Sequence, residues 1–262
     1  MNLVLDIGNT QIFGGVFDDE TMILSFRKSS KTEFSSDEFG IFLKSVLREN
    51  NVNSSYIKKI SVSSVVPEIN YAIHASCVKY FKTEPVFLEK GVKTGINIKY
   101  KNPAEVGSDR IGNCLGAVKI YGCLNFIIVD IGTATTFDIL NDKKEYLGGV
   151  IMPGPKLQMK SLFENTAKLP SVEIKHMERI ESATTVDAMR SGIYYLNYYG
   201  ISGIMNKIKE DFFNKKSVIT IATGGFSRLY ENEKLFDHIN YDLILYGLDE
   251  LIRINDDLES KS

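Results

Sequence analysis

Residues 127–140 read "IIVDIGTATTFDIL", and residues 3–17 read "LVLDIGNTQIFGGVF". Each stretch begins as a β-branched apolar run, meets Asp-Ile-Gly, passes through a Thr or an Asn, and turns apolar again. The pattern predicts a strand, a tight polar turn and a second strand. Asp6 and Asp130 stand 124 residues apart in a chain of 262, close to half its length. A chance recurrence of three residues competes with a duplication, and the order of elements between the two copies separates them.

Around the first copy, residues 2–7 and 12–18 form two expected strands, and "TMILSFRKSS" (21–30) continues as a third. "SSDEFGIFLKSVLREN" offers Ser35 and Ser36 as helix caps, with acids in the first turn and Phe39, Phe42 and Val46 at helical spacing. A strand at 58–67 ends at a proline, and Ile69, Ile73 and Cys77 recur every four residues as a second helix. A strand at 84–89 and a helix from about Asp109 to Tyr121 complete this half. The order then restarts with strands in "NFIIVDIG", "TTFDILND" and "EYLGGVIMPG" and a helix in "PKLQMKSLFENTAKL". A long helical stretch at 184–213, a strand at 217–225, and helical patterns in "SRLYENEKLF" and "LILYGLDELIRI" follow. The repeated order favours two similar α/β lobes, 1–121 and 122–262, facing each other.

The bulk composition narrows the function. With 33 acidic and 31 basic residues the net charge is −2, which gives no electrostatic footprint for nucleic acid. Asp6 interrupts the first apolar run and no stretch is long enough to span a bilayer, so the expectation is a cytoplasmic protein without a membrane segment. Cys77, Cys114 and Cys123 form no CxxC pair and read as reduced core filler. His74, His176 and His238 read as surface or packing residues. The apolar and aromatic positions of "SGIYYLNYYGISGIM" (191–205) read as core or as a dimer interface.

An Asp at the end of a buried strand is costly unless paired, hydrogen-bonded or metal-bound. The Gly that comes after it permits a turn whose N–H groups converge on an anionic oxygen, and the carboxylate holds a cation that neutralises it. Two such turns from two lobes would clamp a polyphosphate. Neither GxxxxGK[ST] nor a GxGxxG after a strand occurs, so the common phosphate cradles are absent. "TIATGGFSRLY" (220–230) supplies a late Gly224-Gly225 that would pass under a flat ring such as adenine, or is simply a turn. A nucleophilic-aspartate reading of "DIGNT" fails because Gly8 occupies the place of the second acid.

Paired D-x-G-x-T hairpins with a late Gly-Gly resemble the superfamily of acetate and sugar kinases, heat-shock chaperone ATPases and actin. Within it the chain closely resembles type III pantothenate kinase. The matching segments are "DIGNT" (6–10), "SSVVP" (63–67), "YKNPAEVGSDRIGN" (100–113), "VDIGTATTFD" (129–138), "GGVIMPG" (148–154), "TAKLP" (166–170), "TTVDAMRSG" (184–192) and "ATGGFS" (222–227), in family order. The resemblance implies a duplicated actin-like (ribonuclease H-like) fold, two lobes each with a mixed sheet flanked by helices and the active site in the cleft between them. It implies transfer of the γ-phosphoryl of ATP to pantothenate, giving 4'-phosphopantothenate at the first step towards coenzyme A, by a homodimer using Mg2+ and a monovalent cation, K+ or NH4+. A nucleotide-gated regulatory or accessory protein on the same fold is the alternative.

By the same resemblance Asp109 is the general base, although an Asp opening a helix also serves as a cap. Asp6, Ile7, Gly8, Asn9, Thr10, Gln11, Ile12, Phe13 and Thr133 bind ATP, with Asp6 orienting hydrated Mg2+. Tyr100, Gly107, Ser108, Asp109, Arg110 and Thr185 contact pantothenate, Thr185 from the other subunit, and Asp130 is the K+ ligand. Asp138 is given no role beyond a hydrogen bond that stabilises its hairpin.

Overall fold

The structure is a computed structural model and describes residues 1–30, 33–214 and 216–259. In chain order the first half carries β1 (Asn2–Ile7), β2 (Gln11–Asp18), β3 (Thr21–Ser29), α1 (Ser36–Glu49), β4 (Lys59–Ser64), α2 (Pro67–Phe81), β5 (Val86–Phe87), β6 (Asn97–Ile98) and α3 (Ser108–Tyr121). The second half carries β7 (Phe126–Ile131), β8 (Ala134–Leu140), β9 (Glu145–Pro153), α4 (Pro155–Glu164), α5 (Thr185–Ile208), β10 (Ile219–Thr223), β11 (His238–Ile239) and α6 (Leu243–Glu259). Two compact units result, Met1–Gly122 with Asp242–Ser262, and Cys123–Tyr241.

In the first unit the strands run β3-β2-β1-β4-β5, with β1, β2 and β3 antiparallel and β4 and β5 added parallel. The second unit repeats this order as β9-β8-β7-β10-β11, again an antiparallel meander extended by two parallel strands. A three-residue coincidence does not produce matching topologies around two such turns, so the chain has a duplicated fold of two mixed sheets flanked by helices.

Alternation along the strands decides which side each helix covers. Leu3, Leu5, Ile7, Ile60 and Val62 form one core with Phe39, Leu43 and Leu47 of α1 and Ile69, Ile73 and Cys77 of α2. The α1 start is set by a capping box: Ser35 accepts from the Glu38 N–H while Glu38 accepts from the Ser35 N–H, an arrangement worth about 1 kcal/mol. In the second unit Ile127, Val129, Ile131, Phe137 and Ile139 meet Tyr194, Ile201, Met205 and Ile208 of α5.

Three expectations change. The helix α6, assigned by sequence to the 122–262 lobe, packs on α3 and belongs with the first unit. The contact is so close that a Cβ on Gly247 would lie 1.9 Å from the Gly112 carbonyl oxygen, and one on Gly116 2.0 Å from that of Leu243. The helical pattern in 227–236 yields only a single 3-10 turn, Ser227–Tyr230. Asp237 accepts from both the N–H and the hydroxyl of Thr220 at 2.8 and 2.7 Å, which returns the chain to the sheet before a longer helix can form. Cys123 is exposed, whereas Cys77 and Cys114 are buried as core filler.

Candidate active site

In the first unit Asp6 is the penultimate residue of β1 and half-buried. The Gly8 N–H donates to the Gln11 carbonyl at 3.1 Å, which closes the turn and lifts Asn9 to the surface. Ile7 and Ile12 are wholly buried in the core, and Phe13 is covered by the Arg27 guanidinium 3.5 Å above its ring. Of the segment 6–13, then, the Asp6 carboxylate and the groups of Gly8, Asn9, Thr10 and Gln11 reach the surface, while Ile7, Ile12 and Phe13 hold the turn from below.

The helix α3 begins with Gly107 at its N-cap, which supplies no side-chain bond. Asp109, in the first turn, partly makes up for the missing cap, since its Oδ1 accepts from the Arg110 N–H at 2.8 Å. Burial pushes the Asp109 carboxyl above the ordinary aspartate range, against the Arg110 N–H and guanidinium, which favour the charged form. The space Oδ1 occupies exists because residue 107 is glycine, since a Cβ there would stand 2.5 Å from that oxygen. Arg110 is buried, at 7% exposure.

Beside this helix start lies a cavity of about 700 Å³ lined by residues that include Ser64, Leu88, Ile96, Asn102, Gly107 and Ser108. Of the predicted acceptor-site residues, Gly107 and Ser108 line it, whereas Tyr100, Asp109 and Arg110 do not. Tyr100 is on the loop after β6 and 37% exposed, so a buried core role is excluded for it.

The second unit builds its acidic turn in a different setting. Asp130 is again penultimate in its strand, paired in register with Thr136 of β8 and Thr223 of β10. The Gly132 N–H donates to the Ala134 carbonyl at 3.1 Å, repeating the closure seen at Gly8, and Thr133 is exposed at the tip. Gly224 has φ +83°, a left-handed conformation, and a Cβ on it would lie 2.3 Å from Asp130 Oδ1. The Phe226 N–H donates to the Ile131 carbonyl at 3.0 Å, so the Gly-Gly loop is laid directly on the acidic turn. Asp138 is fully buried, and its Oδ1 accepts from the Tyr146 hydroxyl at 2.9 Å, tying β8 to β9.

Thr185 is the first residue of α5 but not its cap. Thr184 accepts from the Asp187 N–H at 3.1 Å in that role, leaving Thr185 exposed. Among the described residues no three His, Cys, Asp or Glu side chains gather into a metal centre. The Asp6 carboxylate on its turn is an oxygen donor of the class that hard divalent ions take.

Each unit thus carries an acidic turn at the same place in its sheet, and the first adds a desolvated carboxylate at a helix start. A sequence model described as type III pantothenate kinase matches residues 2–207. The chain belongs to the type III pantothenate kinase family. A type III pantothenate kinase of Legionella pneumophila (strain Corby) is 47% identical over 248 residues, covering 95% of this chain and 96% of that protein. The one from Elusimicrobium minutum is 43% identical over the same length and the same shares. The crystal structure of a ROK hexokinase from Thermus thermophilus superposes with a TM-score of 0.51 at 9% identity, over 95% of this chain and 97% of that one, a likeness of fold alone. The matched range 2–207 holds Asp6, Asp109, Asp130, Thr133 and Thr185; Gly224 and α6 lie beyond it. Sequence reasoning picked out Ser63 and Ser64 within "SSVVP" but gave them no role, because serine in a strand carries no signal until its neighbours in space are known.

Proposed function

We propose that this chain transfers the γ-phosphoryl group of ATP to the terminal hydroxyl of pantothenate, producing 4'-phosphopantothenate for coenzyme A synthesis. The observation that carries the mechanism is the Asp109 carboxylate, set in the first turn of α3, held by burial above the usual aspartate range and given room by Gly107. Phosphoryl transfer needs mainly positioning and charge neutralisation, with one carboxylate to orient the nucleophile and take its proton. Asp109 takes that proton, Gly107 and Ser108 form the cavity wall against which the acceptor lies, and the family resemblance adds Tyr100 and Arg110, with Arg110 opposite its carboxylate. Asp6 orients Mg2+ through water, and the N–H groups of the 8–11 turn meet the phosphates. The bound Mg2+ supplies charge neutralisation on the transferred group.

Asp130 holds the monovalent cation and Thr133 the nucleotide. The support is the carboxylate pressed beneath the Gly224 turn between Thr136 and Thr223, an oxygen-rich setting suited to a hard ion. A homodimer fits α5, where Thr185, Ala188, Gly192, Leu196, Tyr199 and Gly203 form one exposed stripe at helical spacing. Leu196 and Tyr199 are 60% and 62% exposed, and open space faces Gly192 and Gly203. A second copy seated there would bring its own stripe, headed by Thr185, against this one. Among the described residues no helix is long and apolar enough to cross a membrane.

The test is ADP release from ATP, Mg2+ and K+, with and without pantothenate. Pantothenate-dependent ADP supports the assignment; its absence from folded protein under all three salts, Na+, K+ and NH4+, refutes it.

A further inference from the structure

β1 and β4 run parallel with Asp6 paired to Ser63. With Leu3, Leu5, Ile7, Ile60 and Val62 turned into the core, Asn2, Asp6, Ser61 and Ser63 share the opposite face of the sheet. Polar groups on that face bind the two helices covering it. Asn2 Nδ2 donates to Asp249 Oδ1 at 2.8 Å, and Ser61 Oγ donates to the Leu248 carbonyl at 2.8 Å, both on α6. Ser63 is different: its hydroxyl lies 3.0 Å from that of Ser108, the first residue of α3.

Hydrogen counting gives the direction of that bond. A hydroxyl has one proton and two acceptor positions. Ser108 Oγ donates to the Ser64 carbonyl at 3.1 Å and accepts from the Ser64 N–H at 3.1 Å. Its proton is therefore spent, one acceptor position remains, and Ser63 is the donor that fills it. Ser108 is saturated by three bonds to two consecutive residues of β4. The residue after it is Asp109, and the strand beside β4 ends in Asp6 and Ile7.

We infer that Ser63 is a positioning residue for phosphoryl transfer, holding Asp109 in register with the Asp6 turn through the hydroxyl of Ser108. The inference rests on Asp109 being the base. Ser63 touches neither substrate; it sets where the helix start stands relative to the strand end that handles the phosphates. The packing of α3 on α6 through Gly112, Gly116 and Gly247 keeps the helix in place without Ser63, so its loss loosens the first turn and does not detach the helix.

Ser61 is the matched control, since both serines are 0% exposed, on the same strand and face, and each donates one hydrogen bond. We expect Ser63→Ala to lower kcat roughly tenfold with KM for ATP within about twofold. Ser61→Ala should show a similar fall in Tm, about 2–4 °C, with kcat unchanged. Ser63→Cys keeps the volume and a weak donor; it should give an intermediate kcat, and it carries the comparison should the alanine variant be too unstable to assay. In an Asp109→Asn background, Ser63→Ala should produce no further loss, because the group it positions is gone. Equal kcat losses in the Ser61 and Ser63 variants, a kcat within twofold of the parent, or a full additional loss in the Asp109→Asn background would each overturn the inference. Near-parental turnover in Asp109→Asn alone would remove the base, and the inference with it, whatever Ser63 does.

Discussion

Gly107→Ala isolates the placement of the proposed base from the stability of the fold. The backbone at Gly107, φ −59° and ψ 143°, is open to any L residue, so alanine introduces no strain. Removing glycine's freedom from the unfolded chain instead stabilises by about 0.4–1 kcal/mol, an upward Tm shift of roughly 1–3 °C at this chain length. The new Cβ would stand 2.5 Å from Asp109 Oδ1, and real Cβ contacts fall beyond 3.0 Å, so the carboxylate must retreat by at least 0.5 Å. It yields cheaply, being the end of a side chain, but in yielding it leaves its bond to the Arg110 N–H. A misplacement of about 1 Å costs on the order of 100-fold in rate, so half of that corresponds to about tenfold. Losing the bond to the Arg110 N–H costs about as much as the glycine replacement gains, so the expected enzyme is about as stable as the parent and about tenfold slower in kcat at saturating ATP and pantothenate. Coupled ADP assays and thermal melts on one preparation decide it. An unchanged kcat, or a slow enzyme whose Tm has dropped several degrees, refutes the reasoning. A raised KM for pantothenate with kcat intact would show that the glycine makes room for substrate, not for the base.

Asp109→Asn should cut turnover by about 10²–10⁴ while leaving Tm at pH 7–8 equal or higher. A carboxyl whose folded pKa is raised contributes stability fully below the unfolded value of about 3.9 and loses it as pH rises through the folded value. The parent should therefore gain on the Asn variant as pH falls, and a parent that is clearly more stable at pH 8 contradicts this. If Asp130 holds the monovalent cation, activity should collapse in Na+-only buffer and return with K+ or NH4+; equal rates in all three salts exclude it. Leu196→Glu, in the middle of the exposed α5 stripe, should convert dimer to monomer in sedimentation velocity and lower activity by removing Thr185 supplied in trans. A dimer of unchanged affinity would place the interface elsewhere.

Much of this was legible locally. Apolar runs leading into Asp6 and Asp130 foretold both hairpins, and Ser35 or Ser36 before a first turn with acids foretold the start of α1, because these signals lie within a few residues of one another. What failed depends on partners far along the chain. The segment 227–236 has the apolar spacing of a helix, yet Asp237 is claimed by Thr220. The affiliation of α6 is written in Gly112, Gly116 and Gly247, which look like ordinary helix-weakening glycines until the two helices are seen in contact. Thr185 and Thr184 are indistinguishable as caps by type, and only the bond to Asp187 separates them. The proposed base was legible through its resemblance to "GSDR" in the family, whereas the bond between Ser63 and Ser108 was not, since neither "SSVVP" nor "GSDR" says what its serine touches.

The two acidic turns began as copies, and their surroundings support the different roles proposed for them. Both place an Asp one residue from the end of the central strand, and both close on a glycine N–H. Beside Asp6 the adjoining parallel strand presents Ser63, a hydroxyl that reaches a helix start; beside Asp130 it presents Thr223 and then Gly224, whose left-handed turn folds over the carboxylate. One site is open to a helix that brings a second carboxylate, and the other is roofed by the continuation of the strand next to it. A roofed acid suits a resident ion, and an acid with room beside it suits a phosphate that arrives and leaves. On the proposed roles, the copies differ less in the repeated strand and turn than in the loop or helix that the neighbouring strand leads into. Exchanging the Gly224 turn, not the Asp-Ile-Gly motif, is the change that would make the second copy behave like the first.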